Sequence, residues 1–288
     1  MGLFKKNTKV EEPEPQYYMS ATNMQMLNYK VYYMSKLEKM LYFLLAFIIG
    51  AAVGYLFYGG IGKDEFGNPT MLTHILNIMV STIVGGIAGK LFLPVRVSQI
   101  ITKRKRTLNL QFRDMLEALS TSLSAGKNVT DSFKSVYGDL KIQYAEDAFI
   151  LNEIACILAG INNNIAVEDM LSDFGTRSGI DDISSFADVF SVCYKKGGNI
   201  KETIAKTHEI LSDKIEISED IETTVTSSKS EQNMMIFMPV ILIGMMKTMS
   251  PDFADNFVTP VGIIATTIGV VLFVIAYFVG RSILNIKL

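Results

Sequence analysis

The residues of this 288-residue chain that could do covalent chemistry do not fall into a reactive pattern. Two Gly-Lys pairs, Gly89-Lys90 and Gly126-Lys127, lack the preceding glycine and the following Ser or Thr with which a phosphate-binding loop cradles a nucleotide. No zinc-protease motif and no nucleophile elbow occurs. Cys156 and Cys193 stand apart, and with His74 and His208 they do not make zinc-ligand spacing, so both read as small buried apolar residues. His208 lies on an apolar stripe and reads as a packed core histidine. Lys90 and Lys247 sit near the ends of apolar runs, where a lysine stem snorkels outward. The expectation is a protein that is not an enzyme and needs no metal or cofactor.

The spacing that does carry information is a repeat. Leu123-Ser-Ala-Gly126-Lys-Asn128-Val-Thr-Asp131-Ser-Phe133 matches Tyr194-Lys-Lys-Gly197-Gly-Asn199-Ile-Lys-Glu202-Thr-Ile204. Each copy reads as an amphipathic helix, a glycine stop, an Asn cap and a new helix with an acid in its first turn. Asn199 with Glu202 resembles a capping box with Asn in place of Ser or Thr. At Gly197-Gly198 either glycine could take the left-handed conformation. Two similar helix–turn–helix units packed together account for this pattern, and such a turn can also present a contact surface.

The elements that position these turns are helices. Phe112, Leu116, Leu119 and Leu123 make one stripe, Ile150, Ile154, Ile157 and Ile161 a second, and Ile183, Phe186, Phe190 and Cys193 with Tyr194 a third. A long helix begins near Asn199, lined by Ile204, His208, Leu211 and Ile215. It meets no Gly or Pro before Pro239, so it is expected to run towards or into the next apolar run. No helix is assigned between Asn164 and Ile183.

Four apolar stretches flank this region in two pairs. They lie between Lys39 and Lys63, from Phe66 to about Val95, between Glu231 and about Ser250, and between Asp255 and Arg281. A membrane span needs roughly 20 apolar residues. The third reaches that length when Lys247 snorkels. Lys30, Lys36 and Lys39 precede the first span; Arg96, Lys103, Arg104, Lys105 and Arg106 follow the second; Arg281 and Lys287 follow the fourth. The outer loops hold Lys63 with Asp64 and Glu65, then Asp252 and Asp255. The positive-inside rule then puts both termini and the central domain in the cytoplasm.

The expected fold is all-α: a multi-pass integral membrane protein in which two transmembrane helical hairpins flank a cytoplasmic helical bundle. Its divisions are a leader at 1–39, hairpins at 40–95 and 233–281, the bundle at 96–232 and a tail at 282–288. The first apolar run lies behind a polar leader and reads as an anchor, not a cleaved signal. The leader, with Glu11-Glu12-Pro13-Glu14-Pro15, reads as extended or disordered at first and then as a helix from about Ser20 into the first span. The start Met1-Gly2-Leu3-Phe4-Lys5-Lys6 has Lys where a myristoylation signal needs Ser or Thr. Between Asp114 and Gln232 there are ten Lys/Arg against twenty-one Asp/Glu, which argues against a nucleic-acid partner.

The run FRDMLEALSTSLSAGKNVTDSF resembles the opening of the type II secretion system F domain. The run ISSFADVFSVCYKKGGNIKETIAKTHEILSDKIEISEDIETTVTSSKSEQNMMIFMPVILIGMM resembles its second half, including the glycine turn, the long helix and the proline at Pro239. The resemblance covers about Leu108 to Met246. One such domain between two hairpins is similar to the single-domain platform proteins of Tad (Flp) pili, the TadB/TadC type; an archaellum or competence-pilus platform is the nearer alternative. The resemblance implies an inner-membrane platform, a homo- or hetero-oligomer with a paralogous platform protein, that engages a hexameric secretion ATPase and passes pilin subunits into a filament. Lys195 and Lys196 beside the second turn, with Glu209, Asp213, Glu216 and Glu219 along the next helix, are the candidate contact for that ATPase. A solvated helix face is the other reading of these charges. A transporter would place ionisable groups deep in the bilayer, and a receptor would need a larger outer sensor.

Overall fold

A computed structural model describes residues 14–20, 22–62 and 68–284. Met1 to Pro13, the charges Lys63, Asp64 and Glu65, the expected span start at Phe66, and Lys287 lie outside the described residues. The described chain is almost entirely helical and divides into two units. Of the described residues, one comprises those up to Tyr33 and those from 98 to 215, the other those from 34 to 97 and those from 216 onward.

The first unit is a helical bundle. It takes the C-terminal half of α2 (Met71–Ser124), α3 (Val129–Gln143), α4 (Phe149–Asn162), α5 (Val167–Ser178), α6 (Asp181–Lys196) and the start of α7 (Ile200–Met249). Most of the four expected stripes face its core: Phe112, Leu116, Leu119, Ile150, Ile154, Ile157, Ile183, Phe186, Phe190, Ile204, Leu211 and Ile215 are buried, Leu123, Ile161, Cys193 and His208 are half-buried, and Tyr194 is exposed. Phe112 sits at its centre, edge-on to Phe174 and Phe186 with ring centroids 6.1 and 5.4 Å away. α5 is the helix the sequence reading missed; it buries Met170, Leu171 and Phe174. Its neighbours approach closely. A Cβ on Gly160 of α4 would meet Met170 Sδ at 2.7 Å, and one on Gly175 of α5 would meet Ser184 Cα of α6 at 3.0 Å. The chain turns from α5 to α6 through Gly179 at φ +58°.

The leader corrects an expectation. No helix starts near Ser20. Instead β1 (Tyr17–Met19) and β2 (Gln25–Leu27) form a short antiparallel hairpin, with Tyr18 opposite Met26 and a left-handed Asn23 at φ 56° in the turn. Met26 and Tyr29 join the bundle's buried core. Helix begins only with α1 (Lys36–Tyr58), where Ser35 and Glu38 make a reciprocal capping box.

The second unit holds α1, the first half of α2, the last part of α7, α8 (Pro251–Asn256) and α9 (Pro260–Leu284). Among the described residues four helices, α1, α2, α7 and α9, are long and apolar enough to cross a membrane. α1 and α2 pack through small residues. A Cβ on Gly50 would come within 2.6 Å of Ala88 Cβ, and one on Gly85 within 2.7 Å of the Phe47 carbonyl oxygen. Backbones this close are the usual way to gain packing where lipid removes the hydrophobic drive between helices. The second span and the first stripe of the bundle prove to be one 54-residue helix, α2, with Pro94 inside it. α7 likewise runs 50 residues through Pro239, as the missing breakers imply.

Candidate functional site: the paired turns and the strapped bundle

The two repeated turns close alike. Gly126 has φ +86° and Gly197 φ +72°, while Gly198 stays outside the left-handed region. The Lys127 amide donates to the Ser122 carbonyl at 3.3 Å and, at the matching position, the Gly198 amide to the Cys193 carbonyl at 2.8 Å. Each following Asn caps its helix through Oδ1: Asn128 accepts from the Asp131 amide at 2.8 Å and Asn199 from the Glu202 amide at 3.2 Å. Each acid then accepts from the cap's Nδ2, Asp131 at 2.8 Å and Glu202 at 3.0 Å. A capping box would send that carboxylate to the cap's backbone N–H. Here it clamps the Asn side chain, which fixes the orientation of the cap. Phe133 and Ile204, at the end of each copy, are buried.

The candidate contact charges do not form one patch. Lys195 and Lys196 are exposed in the last turn of α6, next to the second turn. α6 and α7 run antiparallel, and Lys214 of α7 reaches Asp182 at the far end of α6, with Nζ 2.8 Å from Oδ1. Glu216 and Glu219 are therefore about 24 Å or more along α7 from the turn, at 1.5 Å per residue. Both belong to the second unit. Glu209 pairs with Lys206 at 2.8 Å, a bond that holds its carboxyl below the ordinary value, and Asp213 is exposed. Pro239 lies in the membrane unit and lines an apolar cavity of about 490 Å³ with Gly54, Ile243, Phe257 and Gly269. Lys247 Nζ donates to the Phe57 carbonyl at 3.3 Å, in the last turn of α1, and lies 4.8 Å over the Phe257 ring.

The feature missed in the sequence is a buried polar triad beneath the leader. Arg177 of α5 forks onto Glu153 of α4, Nη1 to Oε1 at 2.9 Å and Nη2 to Oε2 at 2.7 Å. Its Nε donates to Asp173 at 2.7 Å. The side chains of Arg177 and Glu153 are 3% and 1% exposed, deep enough that neither charge could remain without the other. Tyr29 completes the group, its hydroxyl donating to Glu153 Oε1 at 2.9 Å. Burial raises the Glu153 carboxyl above its ordinary value, against the pull of Arg177 and Tyr29. Burial also raises the Tyr29 phenol, helped by the Glu153 charge, so Tyr29 stays a donor. Burial works against the Arg177 charge, but Glu153 and Asp173 more than offset it and raise Arg177. A charge set within an apolar stripe, Glu153 beside Ile154, was the available signal.

His208 is half-buried, with Nε2 3.4 Å from Ser212 Oγ. Cys156 is buried; Cys193 is half-buried, with Sγ 3.3 Å from Thr203 Oγ1. Among the described residues no three His, Cys, Asp or Glu side chains gather as a metal site.

Residues 115–247 match the family model for Type II secretion system (T2SS), protein F, a span that contains both turns, Glu153 and Arg177, and the run of α7 to Lys247, but not Tyr29. Comparisons with curated proteins and with solved structures gave no match.

Proposed function

From a chain that carries a type II secretion system protein F domain beside four candidate membrane helices, we propose a platform protein of the cytoplasmic membrane, of the Tad pilus type. In this reading both termini and the bundle are cytoplasmic, and the protein makes and breaks no covalent bonds. A hexameric secretion ATPase supplies the work, pilin subunits are the cargo, and a paralogous platform protein joins it in a homo- or hetero-oligomer. The observation that carries the reading is the family match laid over this helix order, because a domain of that family sits where two helices continue from bundle to span. The continuity of α2 and α7 supports a role in coupling, since an unbroken helix transmits displacement without a compliant linker.

The test is a pull-down of the secretion ATPase of the same organism on the full-length protein in nanodiscs, over a salt series. Wild type is expected to retain it with an affinity that falls as salt rises. Reversing Glu216 and Glu219 together, and Lys195 and Lys196 together, asks which end of the α6–α7 hairpin makes the contact. Only one reversal should weaken binding, given their separation along α7. Absence of binding at every salt concentration, together with unchanged filament assembly after deletion of the gene, would discard the platform reading.

A further inference from the structure

Residues 14–20 and 22–33 lie on the bundle as a strap, and the groove that holds them is built to survive without them. The strap's buried residues are Ser20, Met26, Asn28 and Tyr29, at 6%, 4%, 0% and 1% exposure, and Tyr32 lies under the Arg104 guanidinium, whose carbon is 4.4 Å from the ring centroid. Tyr29 enters the groove twice. Its amide donates to the Arg177 carbonyl at 3.0 Å, and its hydroxyl donates to Glu153. Its ring packs edge-on to Phe149 at 5.5 Å. Arg177 Nη1 also donates to the Leu27 carbonyl at 3.3 Å. When the strap leaves, Glu153 keeps both bonds from Arg177, and Arg177 keeps Asp173. No buried charge is left without its counter-charge, which is the usual reason such a core would collapse.

The strap is also self-contained. Asn28 Nδ2 donates to Glu14 Oε2 and to the Pro15 carbonyl, each at 3.0 Å, and the Asn28 amide donates to the Gln16 carbonyl at 2.9 Å. The hairpin can therefore lift as one piece. Beyond Tyr33 only Met34 and Ser35 precede α1, and the Ser35–Glu38 capping box fixes the start of that helix without help from the strap. The chain passes between the two units at three places. At α2 and α7 the crossing is continuous helix; at α1 it is this docked segment.

We propose that this strap is a releasable clasp, whose opening frees the chain entering α1 from the bundle while α2 and α7 remain engaged, and whose closing adds a third lead from the bundle to the membrane. Local opening of this kind belongs to segments held by few buried anchors on a stable scaffold.

Two variants of the full chain in nanodiscs test this. Thr22 Oγ1 lies 3.6 Å from Cys156 Sγ, so Thr22→Cys in a Cys193→Ser background sets two thiols within reach of a disulfide after a small side-chain shift. Tyr29→Phe deletes the hydroxyl donor and keeps the ring. By hydrogen exchange, the Asn28 and Tyr29 amides of wild type should exchange well ahead of the Ile154 and Ile157 amides in α4. Tyr29→Phe should speed the strap amides about tenfold, the scale of one hydrogen bond to a charged acceptor, and leave α4 unchanged. The oxidised Thr22→Cys variant should slow the strap amides to the α4 rate. Strap and α4 amides that exchange together in wild type and shift together in Tyr29→Phe would make the strap ordinary core and end the proposal. The functional arm rests on the platform reading: filament assembly should fall when the disulfide is formed and recover on reduction. Normal assembly in the oxidised state also overturns the clasp. If wild type itself supports no filament, the platform reading fails while the exchange result still decides the clasp.

Discussion

At the residue scale the two turns separate backbone strain from crowding. An ideal Cβ at Gly126 or Gly197 meets nothing within 4 Å, so a side chain there costs only the left-handed backbone. Gly197→Val and Gly126→Val should each lose roughly 1 kcal/mol or more of stability in thermal melts of the solubilised protein. Gly198 takes the opposite case: its φ is ordinary, but a Cβ would lie 3.3 Å from Cys193 Cα. Gly198→Ala should therefore cost less than Gly197→Val. Equal losses at the two positions would show that packing, not φ, sets the stop. These glycines were legible in the sequence because a glycine followed by Asn and an acid is a local signal. Tyr29, Glu153 and Arg177 were not, because their meeting depends on three distant segments and leaves no period to read.

At the element scale the same contrast holds. α2, α4, α6 and α7 announce themselves by apolar stripes whose central residues the structure buries, and α3 by the Asn128 cap that opens it. α5 has only 12 residues with charges at Glu168, Asp169, Asp173 and Arg177, so its Met170, Leu171 and Phe174 stripe is short. The leader's helix failed for a related reason: three-residue strands carry no periodicity, and tertiary anchors at Met26 and Tyr29 override local preference. The paired Asn caps give a prediction at this scale. Asn128→Ala and Asn199→Ala should each cost about 1 kcal/mol, because each removes an acceptor for an amide in the first turn and releases the acid clamped to it. If the double variant loses about the sum of the two, measured by denaturation, the turns act as independent stops; a larger loss would mean that they support one another.

At the scale of the whole molecule the bundle unit ends at Ile215, short of the expected boundary at 232, and the rest of α7 goes with the apolar helices. What the sequence did not show is that the leader belongs with the bundle, although α1 follows it directly in the chain. The charge asymmetry gives the topology prediction. In a background lacking Cys156 and Cys193, single thiols introduced at exposed bundle positions such as Ile142 should react with a membrane-impermeant reagent only after the cells are opened. Labelling of those positions in intact cells would invert the assignment.

The unbroken run of α2 ties its rotational phase from one end to the other. The face that carries Gly85 and Gly89 against α1 and the face that carries Phe112, Met115 and Leu119 into the bundle sit on one helical screw, and Val97-Ser98 lies between them. Each residue inserted there turns one face against the other by about 100° and lengthens the rod by about 1.5 Å. Seven residues bring the faces back to within about 20°. Activity across a series of alanine insertions should therefore rise and fall with the helical repeat, low at two or five added residues and recovering near seven. A smooth decline with length would mean that α2 serves only as a spacer. An oscillation would mean that the segment works as a keyed shaft, whose length is free to change in whole turns but whose angle is not.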